Sequence, residues 1–200
     1  RPPRSTLFPY TTLFRSKEET GLPIVTEIMD ARDVGLLSQY ADVLQVGTRN
    51  MQNYTLLKEL GKCDKPVLLK RGMWATMAEF LGAAEYIMNG GNENVILCER
   101  GIRTFSDYSR NTLDLSIIPA IKDESHLPIV SDPSHGTGRR SLVLPMSKAS
   151  VACGADGLLI ETHPDPDRAI SDADQTISLS SFSKLMEDIK QIAKAVGREL

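Results

Sequence analysis

The chain has 200 residues, 41% of them hydrophobic and 24% charged, which is the composition of an ordinary folded domain and not of a disordered chain. Twenty-three Lys and Arg against twenty-six Asp and Glu leave a net charge of -3, so the basic excess of a nucleic-acid binder is missing. No apolar run reaches the ~20 residues of a membrane-spanning helix, no secretory apolar stretch opens the chain, and no membrane partner is expected.

Residues 1–16, RPPRSTLFPYTTLFRS, stand apart. Thr6-Leu7-Phe8 recurs as Thr12-Leu13-Phe14, acids are absent, and no helical or strand period persists. This stretch is expected to be a non-native tail, similar to translated sequencing adapter, or else a flexible extension. It is left out of the fold argument.

From residue 17 short apolar runs alternate with amphipathic stretches. The runs are Ile24–Ile28, Asp42–Gly47, Pro66–Lys70, Asn94–Glu99, Leu127–Asp132 and Gly157–Glu161. Each is nearly continuously apolar, as strands buried on both faces of a parallel sheet must be. The intervening segments Thr76–Asn89, Asn111–Ile121, Ser141–Cys153 and Ser180–Val196 carry helical stripes; Phe182, Leu185, Ile189, Ile192 and Val196 share one face in the last. Gly90-Gly91 should stop the first of them. The runs start 19 to 33 residues apart, the length of one βα unit. Six such units with no Gly-x-Gly-x-x-Gly turn point to an α/β fold of the (β/α)8 barrel type rather than a dinucleotide-binding sheet. A full barrel takes ~250 residues. Residues 17–200 are therefore expected to form an incomplete barrel domain, its strands three to eight, with about the first two βα units absent.

In such a barrel the chemistry sits where strands finish. Two groups of residues stand at those ends. Arg49, Lys70 and Arg100 follow three neighbouring runs; cations that converge repel one another and call for a phosphate or carboxylate guest. The plainer alternative is a set of surface ion pairs with Glu27 and Glu99. His135, Glu161 and Asp172 follow the last two runs, and imidazole plus carboxylates suits a divalent metal at ~2.0–2.2 Å. Such an ion could polarise a carbonyl. For an isolated histidine a simple loop hydrogen bond is the better expectation, but His135 lies in Asp132-Pro-Ser-His-Gly136 beside a strand end. His163 is a second candidate, or only a loop-former before Pro164; His126 precedes a strand, at the opposite end of the barrel. Cys98 and Cys153 read as small core residues and Cys63 as a loop residue. Three scattered cysteines suit a reducing cytoplasm.

These stretches resemble a known family. Gly21–Glu27 (GLPIVTE), Leu44–Asn53 (LQVGTRNMQN), Lys65–Gly72 (KPVLLKRG), Ile96–Phe105 (ILCERGIRTF), Ser131–Gly136 (SDPSHG) and Ile160–Asp167 (IETHPDPD) are similar, in order and spacing, to 3-deoxy-D-arabino-heptulosonate 7-phosphate (DAHP) synthases of the Bacillus-like subtype. The resemblance implies a (β/α)8 barrel that condenses phosphoenolpyruvate with erythrose 4-phosphate at the entry to the shikimate pathway and aromatic amino acids. It implies that Arg49, Lys70 and Arg100 hold phosphoenolpyruvate, that Lys70 and His135 are catalytic, and that His135, Glu161 and Asp172 are three of four ligands of a divalent metal of the Mn, Fe, Co or Zn class. The fourth, a cysteine in a Gly-Pro-Cys-like motif, is missing, and so is the Lys-Pro-Arg-Thr loop that binds both substrates. A homo-oligomer is expected.

The nearest rival, 3-deoxy-D-manno-octulosonate 8-phosphate synthase, tends to carry Gln-Ile-Pro-Ala-Phe where this chain has Gln45-Val-Gly-Thr-Arg49, and Lys-Lys-Gly where it has Lys70-Arg-Gly72; Arg49 favours the heptulosonate enzyme. Two other readings remain: a catalytically dead barrel piece whose open edges associate, with little or no turnover, and a non-catalytic anion-binding module.

Overall fold

The computed structural model describes residues 15–199, so most of the expected tail lies outside the described residues; residues 15–20 are helical. The strands are β1 (Val25–Ile28), β2 (Val43–Val46), β3 (Val67–Lys70), β4 (Val95–Glu99), β5 (Ile129–Ser131) and β6 (Gly157–Leu158). The helices are α1 (Val34–Leu37), α2 (Tyr54–Leu60), α3 (Met77–Met88), α4 (Ile117–Glu124), α5 (Pro133–Thr137), α6 (Arg140–Ala152) and α7 (Leu179–Ala195). Each strand falls inside one of the six runs expected from the sequence.

The chain divides into two compact units. Of the described residues, the first comprises 15–69 and 81–95. In it β1, β2 and β3 pair in parallel, with Val25 beside Val43 and Leu44 beside Val67. Leu44, Val46, Val67 and Leu69 of the strands and Leu56, Leu57 and Leu60 of α2 are all fully buried, so the core of this unit is largely aliphatic. The side chain of Asn53 caps α2 by accepting from Leu56 N–H. A Cβ at Gly47, directly after β2, would fall against the carboxylate of Glu27, the far end of a flexible side chain.

The second unit comprises residues 70–80 and 96–200. Here β4, β5 and β6 pair in parallel, with Leu97 beside Ile129 and Val130 beside Gly157. The residue after β3 joins the same ladder, since Arg71 N–H donates to Cys98 O at 2.9 Å. Helices α6 and α7 pack through Val143, Val151, Leu185, Ile189 and Ala193. Ser178 caps α7 by accepting from Ser181 N–H. At the start of α3, Thr76 and Glu79 form a reciprocal capping box, Glu79 Oε2 accepting from Thr76 N–H at 2.8 Å and Thr76 Oγ1 from Glu79 N–H at 3.2 Å.

Two expected elements differ. The helix expected over 111–121 runs instead over Ile117–Glu124. Thr112 bridges Ile102 in antiparallel fashion, the Asn111 amide donates to His135 O at 3.1 Å, and Asp114 pairs with Arg71, so residues 111–114 are held as extended chain. The sixth strand covers only Gly157–Leu158 of the five expected residues, and Glu161 N–H turns to Ser134 Oγ at 3.1 Å. Cys98 is fully buried in β4 and Cys153 half-buried at the end of α6, as expected. Among the described residues no helix is long and apolar enough to cross a membrane.

Candidate active site

The C-terminal ends of β3, β4 and β5 bring the second unit's charged residues together. Lys70 closes β3 and is 5% exposed. Its Nζ lies 2.7 Å from Oδ2 of Asp132, the fully buried residue that follows β5. Asp132 is the N-cap of α5: its Oδ1 accepts from His135 N–H at 2.9 Å, and Pro133 supplies the preset first turn. The same carboxylate's Oδ2 stands 2.8 Å from His135 Nδ1. Lys70, Asp132 and His135 therefore stand in one continuous row of polar contacts.

On the far side of the imidazole, His135 Nε2 lies 3.4 Å from Glu161 Oε1. Glu161 Oε2 accepts from the Gln175 amide at 2.6 Å. Asp172 has φ +53, a left-handed backbone that an aspartate tolerates better than most residues. Its carbonyl is tied down by the N–H groups of Gln175 and Thr176 at 3.1 and 3.2 Å. Its Oδ1 accepts from Arg110 Nη1 at 3.0 Å. His135, Glu161 and Asp172 each offer a donor atom, and these atoms lie within 4.8 Å of one another. One nitrogen and two carboxylates at that spacing fit a divalent cation after a small inward movement. No described cysteine belongs to the group.

Arg100, directly after β4, is 6% exposed, and its Nε and Nη1 are buried without a hydrogen-bond partner in the protein. Burial pushes its pKa below that of an ordinary guanidinium, against the pull of Asp132. A buried donor left unpaired is costly, and an anionic guest would remove that cost. Gly101 sets the backbone there: its φ is +89, and a Cβ would meet Gly136 Cα at 2.9 Å. The Arg100 strand end thus abuts the helix that carries His135.

Glu99 points away from Arg100. Its Oε2 accepts from Arg71 Nη1 at 2.9 Å, and its Oε1 accepts from Gly101 N–H at 2.6 Å. Burial raises its pKa, although Arg71 opposes the shift. The ion pair imagined between the cations and Glu99 therefore forms with Arg71, not with Lys70 or Arg100. Burial also raises Glu161, with His135 and Gln175 acting against it. For Asp132 burial acts upward too, but contact with His135 and the charge of Lys70 outweigh it and hold the carboxyl below its usual range.

Of the residues expected from the sequence, Lys70, Arg100, His135, Glu161 and Asp172 all belong to the second unit. Arg49 belongs to the first, exposed in the 3-10 turn Thr48–Asn50 after β2. His163 has a loop role: its Nδ1 accepts from Asp165 N–H at 3.0 Å. It also lines a cavity of about 310 Å3 beside Glu161. His126 is exposed beyond the end of α4. Sequence reasoning missed Asp132, Arg71, Arg110 and Gln175. Asp132 had a readable signal, because an Asp-Pro pair three residues before a histidine marks an N-cap whose side chain faces that histidine.

A larger cleft of about 860 Å3 is lined by Arg110, Arg139 and Arg140 together with Tyr108, Asp167 and Asp174. Its cations are engaged: Arg140 pairs with Asp167 at 2.8 Å, Arg110 with Asp172, and the Arg139 guanidinium stands 4.4 Å over the Tyr108 ring.

Six parallel strands alternating with helices are the elements of a (β/α)8-type fold, and in the second unit charged side chains gather at the strand ends. The profile of the DAHP synthetase I family matches residues 9–197, and the chain belongs to that family. It is 49% identical over 185 residues to the phospho-2-dehydro-3-deoxyheptonate aldolase of Thermotoga maritima, covering 92% of this chain and 55% of that protein. The crystal structure of the Thermotoga maritima enzyme, titled DAHP synthase, superposes with a TM-score of 0.93 at 48% identity, covering 95% of this chain and 56% of that one. A 2-dehydro-3-deoxyphosphooctonate aldolase of Syntrophotalea carbinolica is 32% identical over 191 residues, covering 90% of this chain and 68% of that protein. The chain thus spans just over half the length of the Thermotoga maritima protein that it matches. The match from residue 9 reaches into the segment expected to be a foreign tail.

Proposed function

We propose that this chain is the phosphoenolpyruvate- and metal-binding part of a DAHP synthase, which condenses phosphoenolpyruvate with erythrose 4-phosphate to give 3-deoxy-D-arabino-heptulosonate 7-phosphate and inorganic phosphate. The observation that carries the reading is the convergence of His135, Glu161 and Asp172 donor atoms within 4.8 Å, in a chain 49% identical to a protein named for this product.

Lys70 and Arg100 bind the carboxylate and phosphate of phosphoenolpyruvate, a role that for Arg49 rests on the family resemblance alone. Arg100 contributes two buried N–H donors that lack partners in the protein, and Lys70 a compact charge. His135, Glu161 and Asp172 hold a divalent cation of the Mn, Fe, Co or Zn class, which when bound supplies Lewis-acid polarisation of the sugar aldehyde. With phosphoenolpyruvate held and turned by these cations, its C3 attacks the aldehyde carbon, water adds at C2, and the C2–O bond to phosphate breaks. Lys70 and Arg100 stabilise the charge that develops on the carboxylate and the departing phosphate. Lys70 is also placed to move a proton.

The Gly-Pro-Cys-like motif and the Lys-Pro-Arg-Thr loop of the family pattern do not occur in these 200 residues. The reading therefore expects phosphoenolpyruvate and Mn2+ to bind while turnover stays low. We further read the protein as a cytoplasmic homo-oligomer, with residues 17–200 as barrel and residues 1–16 as a foreign tail. Calorimetric titration of the chain with phosphoenolpyruvate and with Mn2+ tests the site; absence of binding of both overturns it. Phosphate release with erythrose 4-phosphate against arabinose 5-phosphate tests the sugar. The octulosonate reading, supported by the 32% identical aldolase, requires a preference for the five-carbon sugar.

A further inference from the structure

The buried carboxylate of Asp132 touches both halves of the site. Its Oδ2 lies 2.7 Å from Lys70 Nζ and 2.8 Å from His135 Nδ1. Asp132 itself is 0% exposed, so that oxygen is shut off from bulk solvent. We propose that Asp132 is a positioning residue that couples metal binding to phosphoenolpyruvate binding, through competition between His135 and Lys70 for one carboxylate oxygen. This rests on the reading of Lys70 as an anion-binding residue and of His135 as a metal ligand.

A histidine that binds a cation through Nε2 presents Nδ1–H to its partner, and the cation's charge makes that N–H a stronger donor. Asp132 is the only carboxylate within 4.0 Å of His135 Nδ1 among the described residues, and it is fixed in place, because its other oxygen caps α5. The stronger Nδ1–H donor takes a larger share of the negative charge on Oδ2 and so weakens its hold on Lys70, whose ammonium is then available to the substrate's anionic oxygens. Without the cation, the Lys70 charge is largely spent on Asp132, and phosphoenolpyruvate must displace that pairing. Coupling of this kind is reciprocal by thermodynamic necessity: the anion, by taking Lys70, releases Asp132 to orient His135 for the cation.

The test is a two-ligand calorimetric cycle on the whole chain, with Mn2+ and phosphoenolpyruvate as probes. In the wild type, saturating Mn2+ should tighten phosphoenolpyruvate binding by about tenfold, and phosphoenolpyruvate should tighten Mn2+ by the same factor. Asp132→Asn keeps the shape and the helix cap while removing the charge; it should still bind each ligand alone but show a coupling factor close to one. Asp132→Ser, which also retains an N-cap acceptor, makes the same measurement should the amide variant fail to fold. Equal phosphoenolpyruvate affinity with and without Mn2+ in the wild type overturns the proposal, as does full coupling in a folded Asp132 variant. Failure of the wild type to bind both probes overturns the functional reading itself, whereas binding of only one of them overturns the coupling alone.

Discussion

Arg71 Nη1 donates to Glu99 Oε2 at 2.9 Å, with the arginine side chain 7% exposed and the glutamate fully buried. Asp114 Oδ2 accepts from the same nitrogen at 3.0 Å, and Ala75 O from Arg71 Nε. The guanidinium thus joins the ends of β3 and β4 to the extended segment before α4. Removing one partner of a buried pair leaves the other charged and desolvated. Arg71→Leu should lower unfolding stability by about 3–5 kcal/mol, measured by urea denaturation; a loss below about 1 kcal/mol would show that the pair is solvated.

Arg100 predicts the reverse behaviour. Its Nε and Nη1 are buried without partners, a cost that the folded chain bears in the absence of an anion. Arg100→Met should raise stability by roughly 1–2 kcal/mol and weaken phosphoenolpyruvate binding at least tenfold. Thermal unfolding and calorimetry on the same variant read both effects. A destabilised variant with intact binding contradicts the assignment.

Gly101 leaves no room for a side chain. A methyl there would sit 2.8 Å from Asn111 Cβ and 2.9 Å from Gly136 Cα, on a backbone of φ +89. Gly101→Ala should cost about 1–3 kcal/mol in strain alone. It should also weaken anion binding, because the alanine pushes the Arg100 strand end away from the helix carrying His135. Unchanged affinity in a folded variant would mean that this approach does not position Arg100.

Asp156 governs part of the acid response far from the metal-ligating group. Burial acts to raise its carboxyl pKa, but Lys122 at 2.7 Å, the Ile129 N–H at 2.9 Å and Arg198 at 2.8 Å outweigh it and hold the value below the ordinary range. A depressed folded pKa adds stability that is present above the unfolded carboxylate value of ~3.9 and is lost as pH falls through the folded one. Asp156→Asn should therefore be on the order of 1 kcal/mol less stable at pH 7, with the gap closing below pH ~3.9. Urea midpoints of both proteins across that range give the comparison.

His135→Ala should remove most divalent affinity, because it takes away the nitrogen donor of a three-residue group. Glu161→Gln should weaken Mn2+ binding less, since it keeps one carbonyl oxygen in place. Co2+ absorption in the visible range distinguishes the two; identical spectra for both variants and wild type would remove the metal assignment.

The strands and the site region were legible because parallel strands are buried on both faces: each appears as a short apolar run, and the first polar residue after it marks a strand end. Lys70, Arg100 and Glu161 could be picked out on that ground, whereas His135 and Asp172 lie further along the following loops and were singled out as metal-ligand side-chain types. The segment 111–116 was misread as helical, because its apolar spacing suits a helix while Ile102, Arg71 and His135 engage residues 111–114 and the helix begins only at Ile117.

What the sequence could not decide was which charge answers which. Lys70 and Arg71 are neighbours in the chain, but successive residues of a strand point to opposite faces. Lys70 meets Asp132, while Arg71 meets Glu99 and Asp114. Arg110 reaches Asp172 across 62 residues of sequence. The order of strands, the helix stripes and the kinds of side chain at the strand ends follow from local pattern. The pairing of those side chains depends on which strand ends the fold makes neighbours, and only the packed chain brings a buried carboxylate within 3 Å of both a lysine and a histidine.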